Sequence, residues 1–409
     1  MTTRKTTTAV AAAALLAAAI TGAARPTATA GPAAKCTPAW HLVSTPPLPG
    51  NPFAGQSILA GPAVVSPSNV WFPSDYPWFL KYPHAGMLRW NGHSVMTAPE
   101  PPSSSLMAKT TYQASFDSST DGWVVGTLGG FLGQEPTAGY QPSLAHWNGS
   151  RWTYTPSAVS PDPQTVRTDV MMLFGVAAVS PASAWAVGGL FGPSPSGALI
   201  EHWDGTQWTL VPNPASATGG YLASIKAVSP HDIWAAGRQY NSNGIVPLIE
   251  HWDGSRWKVV PAPAGNFPAA LYGISGSGAG DAWAVGDQTQ PGTANTAVPL
   301  IEHWNGATWS VITTLPDIGN AKAISVYAAS PTDVWVTTEL RFALSAHGLF
   351  LHWDGTRWTT VPVPGPKDLE RYAYYGVDGT GPDNVWAAGA VSSADGSTLT
   401  AVAAHLSCG

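Results

Sequence analysis

Nineteen of the twenty tryptophans in this chain fall on a two-part repeat that runs almost from end to end. Around Trp234 the first part reads SPHDIWAAG, and around Trp252 and Trp257 the second reads LIEHWDGSRWKVVPAP. First-part tryptophans stand at Trp71, Trp123, Trp185, Trp234, Trp283, Trp335 and Trp386, spaced by 52, 62, 49, 49, 52 and 51 residues. The second part recurs as RWNG at Trp90, then as HWNG or HWDG at Trp147, Trp203, Trp252, Trp304 and Trp353. Its second tryptophan follows at Trp152, Trp208, Trp257, Trp309 and Trp358, with Val95 in that place in the first unit. A unit of this length, made of short strand-like runs and tight Gly turns, cannot bury its own apolar face. Stacking one sheet per repeat around a ring can.

Seven first parts but six complete second parts leave one unit short, and the chain ends supply it. AAHLSCG matches the start of a second part, with His405 and Leu406; CTPAWHLVSTP near the other end matches its finish, with Trp40. The expected fold is all-β: a seven-bladed β-propeller of four-stranded antiparallel blades, the N-terminal strand completing the last blade. Closure of this kind removes exposed sheet edges. Cys36 and Cys408, the chain's two cysteines, flank the broken turn of that composite hairpin, which predicts a disulfide between them. In the chain-entropy model so long a loop gives about 4 to 5 kcal/mol.

The first thirty residues read as a signal peptide. Arg4 and Lys5 precede an apolar run from Ala9, and Ala28-Thr29-Ala30 is a cleavage motif, with Ala23 a competing site. Residues 31–409 are then the propeller, and the expected location is extracellular. The apolar run is short for a membrane span, and Lys35 sits where a lipobox before Cys36 would need a small residue. Without residues 1–30 the chain keeps 15 basic and 24 acidic residues, which repels phosphate backbones and argues against a nucleic-acid partner. A 44% apolar fraction is ample for one core, and a monomer is expected.

Histidines recur once per unit, at His146, His202, His251, His303, His352 and His405, so they are spread around the ring and cannot converge on one ion. A packed structural role is expected, with no metal and no cofactor. Glu201, Glu250 and Glu302 share a register with Leu88, Ala145, Leu351 and Ala404, so that slot too reads as structural. The Asp-Gly and Asn-Gly pairs are turn chemistry.

The unit resembles the repeats of kelch and galactose-oxidase-like propellers, which share a strand ending in Gly-Gly, here Gly188-Gly189, and an aromatic third strand followed by a tryptophan. HWDGTxW with WAVG is also similar to repeats in secreted proteins of high-GC Gram-positive bacteria. The resemblance covers essentially the whole chain after residue 30 and implies the propeller. The oxidases' copper chemistry needs tyrosines, histidines and a Cys–Tyr crosslink. Here both cysteines stand at the closure, and no non-repeating histidine pair stands out.

Strand alternation places the repeated SPxD and Asp-Gly turns on one face and the irregular connections on the other. Recognition belongs on the irregular face. Four residues after each first-part tryptophan come Asp75, Thr127, Gly189, Arg238, Asp287, Glu339 and Ala390; eleven residues before it come Ala60, Tyr112, Phe174, Ala223, Tyr272, Ile324 and Tyr375. Candidate ligand-binding residues are Tyr76, Trp78, Tyr82, Tyr140, Arg238, Tyr240, Arg341 and Tyr375. Exposed aromatics with sparse charges suit sugar faces or a protein surface. The function expected is a non-catalytic binding module for an extracellular glycan or protein. The alternative is a carbohydrate-active hydrolase or lyase using Asp287 and Glu339 as paired acids.

Overall fold

A computed structural model describes residues 38–47, 57–75, 86–102, 109–128, 141–159, 170–191, 196–242, 244–263, 267–289, 296–340, 349–365, 371–393 and 399–408. They form seven antiparallel blades in a ring. Blade 4 shows the pattern, with strands Tyr221–Ser229, Asp232–Asn241, Gly244–Trp252 and Trp257–Val259 ordered from the channel outward. Blades 2, 3, 5 and 6 repeat it. In blade 1 the inner strand comes as two pieces, Ile58–Leu59 and Ala63–Ser66. Ala39–Val43 pairs with Leu399–Ser407 as the outer strand of blade 7, with Trp40 opposite Leu406. The composite hairpin read from the two chain ends is therefore the closure of the ring. Thr45 Oγ1 donates to the Ala401 carbonyl and the Ser57 amide donates to the Leu399 carbonyl, which fastens the incoming segment along blade 7.

The segment YNSNGIVP from Tyr240 is rich in Asn and Gly. It reads as a loose loop, yet the second and third strands of blade 4 continue through it, pairing Tyr240 with Ile245 and Asn241 with Gly244. Gly244 has φ +102°, which a turn residue there requires and a side chain resists. Tyr240 thus stands on a hairpin that extends from the irregular face.

Buried apolar side chains fall into seven clusters among the described residues, each straddling two neighbouring blades. Every cluster is built around a first-part tryptophan. The outer-strand tryptophan of the next blade meets it edge to face: Trp152 on Trp71 at 5.8 Å, Trp208 on Trp123 at 4.8 Å, Trp309 on Trp234 at 5.3 Å. Trp40 meets Trp335 at 5.3 Å and 81°, the same contact made by a residue nearly three hundred positions away in sequence. Such pairs stabilise by about 0.5–1.5 kcal/mol beyond the area they bury.

The histidines cover the other face of the same rings. His251 stacks on Trp234 at 4.0 Å, and His405 on Trp386 at 4.0 Å. Their Nε2 atoms bond the last residue of the SPxD turn: His146 to Asp121 at 2.6 Å, His251 to Asp232 at 2.7 Å, His303 to Asp281 at 2.8 Å. In blade 1, Arg89 takes the histidine's place, over Trp71 at 4.9 Å and bonded to Asn69 at 2.7 Å. The polar partner that fixes each ring is therefore a turn residue: aspartate in blades 2, 4, 5 and 6, Ser183 in blade 3, and Asn69 and Asn384 in blades 1 and 7. Glu201 and Glu250, both fully buried, accept backbone N–H groups of the connection leading into or out of a neighbouring blade: Ala158 at 3.0 Å and Ala215 at 3.2 Å. Burial raises the Glu201 carboxyl and pushes Glu250 up to about 7.

Candidate binding site at the channel mouth

In blades 2, 3, 4, 5 and 7 a glycine three residues after the first-part tryptophan packs against the inner strand at the channel wall; blade 6 has Thr338 there. The inner strand of each of blades 2–7 carries a bulge at the residue eleven before the first-part tryptophan; in blade 4 the register slips between Leu222 and Ser224, at Ala223. The bulged strand swings its carbonyl toward the second strand. A Cβ on Gly237 would lie 2.0 Å from the Tyr221 carbonyl oxygen, and one on Gly286 would lie 1.8 Å from that of Ala270. At these two positions any side chain would collide with the backbone. The bulges bring Tyr112, Phe174, Ala223, Tyr272, Ile324 and Tyr375, with Ala60 of blade 1, around one central cavity of 410 Å³.

The inner strands are sheet edges, and their free N–H groups need acceptors. The preceding blade supplies them. Val176 N–H reaches Gln113 at 3.0 Å, Ala328 N–H reaches Ser275 at 3.1 Å, and Val377 N–H reaches Ser325 at 3.2 Å. Across the closure, Val64 N–H reaches the Asp378 carboxylate at 2.9 Å. Burial raises the Asp378 carboxyl, while Lys226 on another wall of the cavity pulls it back. These two charges occupy a register held elsewhere by Ala63, Ser115, Ala177, Ser275 and Tyr327.

Aromatic rings form a run at the irregular end of the channel. Tyr112 lies 5.6 Å from Phe174, Phe174 lies 5.2 Å from Tyr221, and Phe191 packs on both Phe174 and Tyr221 at 6.3 and 5.7 Å. Tyr221 and Arg238 are cross-strand partners, and the guanidinium lies over the Tyr221 ring at 4.9 Å and the Tyr240 ring at 5.9 Å. In blade 5 the Tyr272 hydroxyl donates to Asp287 at 2.5 Å, and Lys322 of blade 6 lies over the Tyr272 ring at 5.3 Å. Burial raises the hydroxyl pKa of Tyr272, and the Asp287 bond raises it further; burial raises those of Tyr221 and Tyr375. Tyr240, beside this run, stands 49% exposed; Phe267, 41% exposed, lies two residues ahead of the inner strand of blade 5.

The structure thus places Arg238, Tyr240 and Asp287 at one sector of the mouth, Glu339 opposite Lys322 in blade 6, and Tyr375 on the cavity wall. Tyr76, Trp78, Tyr82, Tyr140 and Arg341 lie outside the described residues, as do Cys36 and residues 1–37. Sequence reasoning missed Tyr221, Phe191 and Phe267 as site residues, and Lys226 with Asp378 in the cavity. The last two were visible as the two charges in a register otherwise held by Ala, Ser and Tyr. Among the described residues no group of three or more metal-ligating side chains converges, and no helix is long and apolar enough to cross a membrane.

No protein-family model matches the sequence, and no curated protein matches it. Solved structures do resemble the fold. YCF48 bound to D1 peptide aligns with a TM-score of 0.51 at 15% identity, over 90% of this chain and 96% of that one. The polysaccharide lyase Uly1 aligns at 0.53 and 9% identity, over 86% and 90%. An ulvan lyase of family PL25 bound to -[GlcA(1-4)Rha3S]- aligns at 0.51 and 10% identity, over 87% and 94%. At these identities the likeness is one of fold: a seven-bladed β-propeller.

Proposed function

We propose that this protein is a secreted, non-catalytic binding propeller that takes a glycan at the channel mouth of its irregular face. The observation that carries this reading is the run of rings from Tyr112 through Phe174 and Phe191 to Tyr221, continued by exposed Tyr240, with Phe267 exposed at the entry to the blade 5 inner strand. Ring faces stack on the C–H faces of sugars at small entropic cost, and Tyr272 with Asp287 offers a fixed pair for hydroxyls. Similar folds carry a peptide in one case and a saccharide in another, so the fold alone does not choose. The mouth favours sugar because its contact surface is aromatic, with tyrosine hydroxyls and fixed polar groups set among the rings.

A glycan array probed with the protein lacking residues 1–30 tests the reading. Binding should weaken by about 2 kcal/mol in Tyr240→Ala or Phe267→Ala, with the melting temperature unchanged. Binding abolished instead by substitutions in the SPxD turns would refute the face assignment, and capture of peptides without any glycan would replace the ligand class. The competing enzyme reading places Asp287 and Glu339, on adjacent blades 5 and 6, as paired acids. Reducing-sugar release that is lost in Asp287→Asn would establish it and overturn the non-catalytic reading.

A further inference from the structure

Arg238 is a cation set in place without an anion. Its guanidinium lies over the rings of Tyr221 and Tyr240, and its Nε is buried without a hydrogen-bond partner. No carboxylate among the described residues lies within ion-pair distance of it. A planar fork already ordered by its neighbours loses little freedom when it binds a carboxylate or sulfate through two N–H groups. Lys322, held over Tyr272, likewise lacks an ion pair among the described residues. The chain has only 18 Lys and Arg in 409 residues, so Arg238 and Lys322 at one channel mouth, with Lys226 in the cavity below, are a concentration of scarce positive charge.

Carboxylates stand between and beside them. Asp287, on blade 5 between the blades of Arg238 and Lys322, is fixed by the Tyr272 hydroxyl, and Glu339 faces Lys322 across its strand pair. A dense polyanion would meet Asp287 at the centre of the site. A neutral sugar would leave Arg238 unanswered. A sugar chain with one anionic group set among hydroxyls satisfies both, the anion on Arg238 and hydroxyls on Asp287.

We infer that the ligand of the channel mouth is an acidic polysaccharide whose carboxylate or sulfate seats on Arg238. This rests on the glycan-binding reading above. Calorimetry tests it on the wild-type protein with two matched pairs: hexagalacturonate against its methyl ester, and sulfated against unsulfated dextran oligosaccharides. At least one acidic member should bind tenfold or more tighter than its neutral counterpart, and the pair that discriminates names the anion. The preference should weaken as salt rises. Arg238→Gln should remove it without changing the melting temperature, and Arg238→Lys should restore part of it. Acidic and neutral members bound alike, or a preference that persists in Arg238→Gln, would overturn the inference and leave the glycan reading standing. Binding of poly-L-glutamate with none of the saccharides bound would overturn both, as would a broad glycan panel from which nothing binds.

Discussion

Replacing Glu250 by glutamine should make the protein more stable at pH 8 and leave it little changed at pH 4.5. Glu250 is fully buried; one carboxylate oxygen accepts the Ala215 N–H and the other has no hydrogen-bond partner. Burial pushes its pKa from 4.5 up to about 7. The folded state therefore holds the proton more tightly than the unfolded chain does. Its contribution is fully present below pH 4.5 and is lost as pH rises through about 7. A rise from 4.5 to about 7 corresponds to about 3 kcal/mol lost across that window. Glutamine keeps the acceptor for Ala215 and cannot ionise, so the variant has no such loss from this position. Urea unfolding followed by tryptophan fluorescence at the two pH values gives the difference between variant and wild type. That difference should grow by about 3 kcal/mol from pH 4.5 to pH 8 in favour of the variant. Subtracting the two proteins cancels the contribution of Glu201, which acts in the same direction. An unchanged difference would show that Glu250 is ionised within the fold and that the blade connections solvate it.

Trp257→Ala should cost about 3–5 kcal/mol, because it empties a packed position against Trp185, whereas Trp252→Ala, at a partly exposed site, should cost about 2 kcal/mol; glycan binding should survive both under native conditions. Gly286→Ala should disrupt the bulge that carries Tyr272, since its Cβ would strike the Ala270 carbonyl; a loss of at least about 2 kcal/mol together with lost binding is expected, and unchanged stability would refute the close approach. The proposed Cys36–Cys408 disulfide should appear in intact mass as a gain of about two mass units on reduction, and alkylation of two thiols without reductant would exclude it.

Blade number, order and closure were legible because each blade must fill the same wedge, and tryptophan fills it wherever the repeat allows. Even Trp40 and Leu406, separated by almost the whole chain, could be matched by register. The structural role of the histidines followed from their spread around the ring, but their partner did not. The SPxD aspartate reads as turn chemistry until the fold brings Asp232 beside His251. The channel-lining register from Ala60 to Tyr375 was visible by counting back from each tryptophan; the bulge that aims it was not, because a register slip interrupts the alternation of a strand. Tyr221 escaped because it occurs in one blade only and acquires meaning from neighbours on other strands. The hairpin extension at Tyr240 was hidden by Asn and Gly residues that read as a loop and serve as a tight turn.

A crystal structure of the protein with its tightest-binding oligosaccharide tests the central claim most directly. The account predicts sugar density at the channel mouth, against Tyr221, Arg238, Tyr240 and Tyr272. Density seated on the SPxD and Asp-Gly turns, or along the outer strands, with that mouth empty, would contradict it.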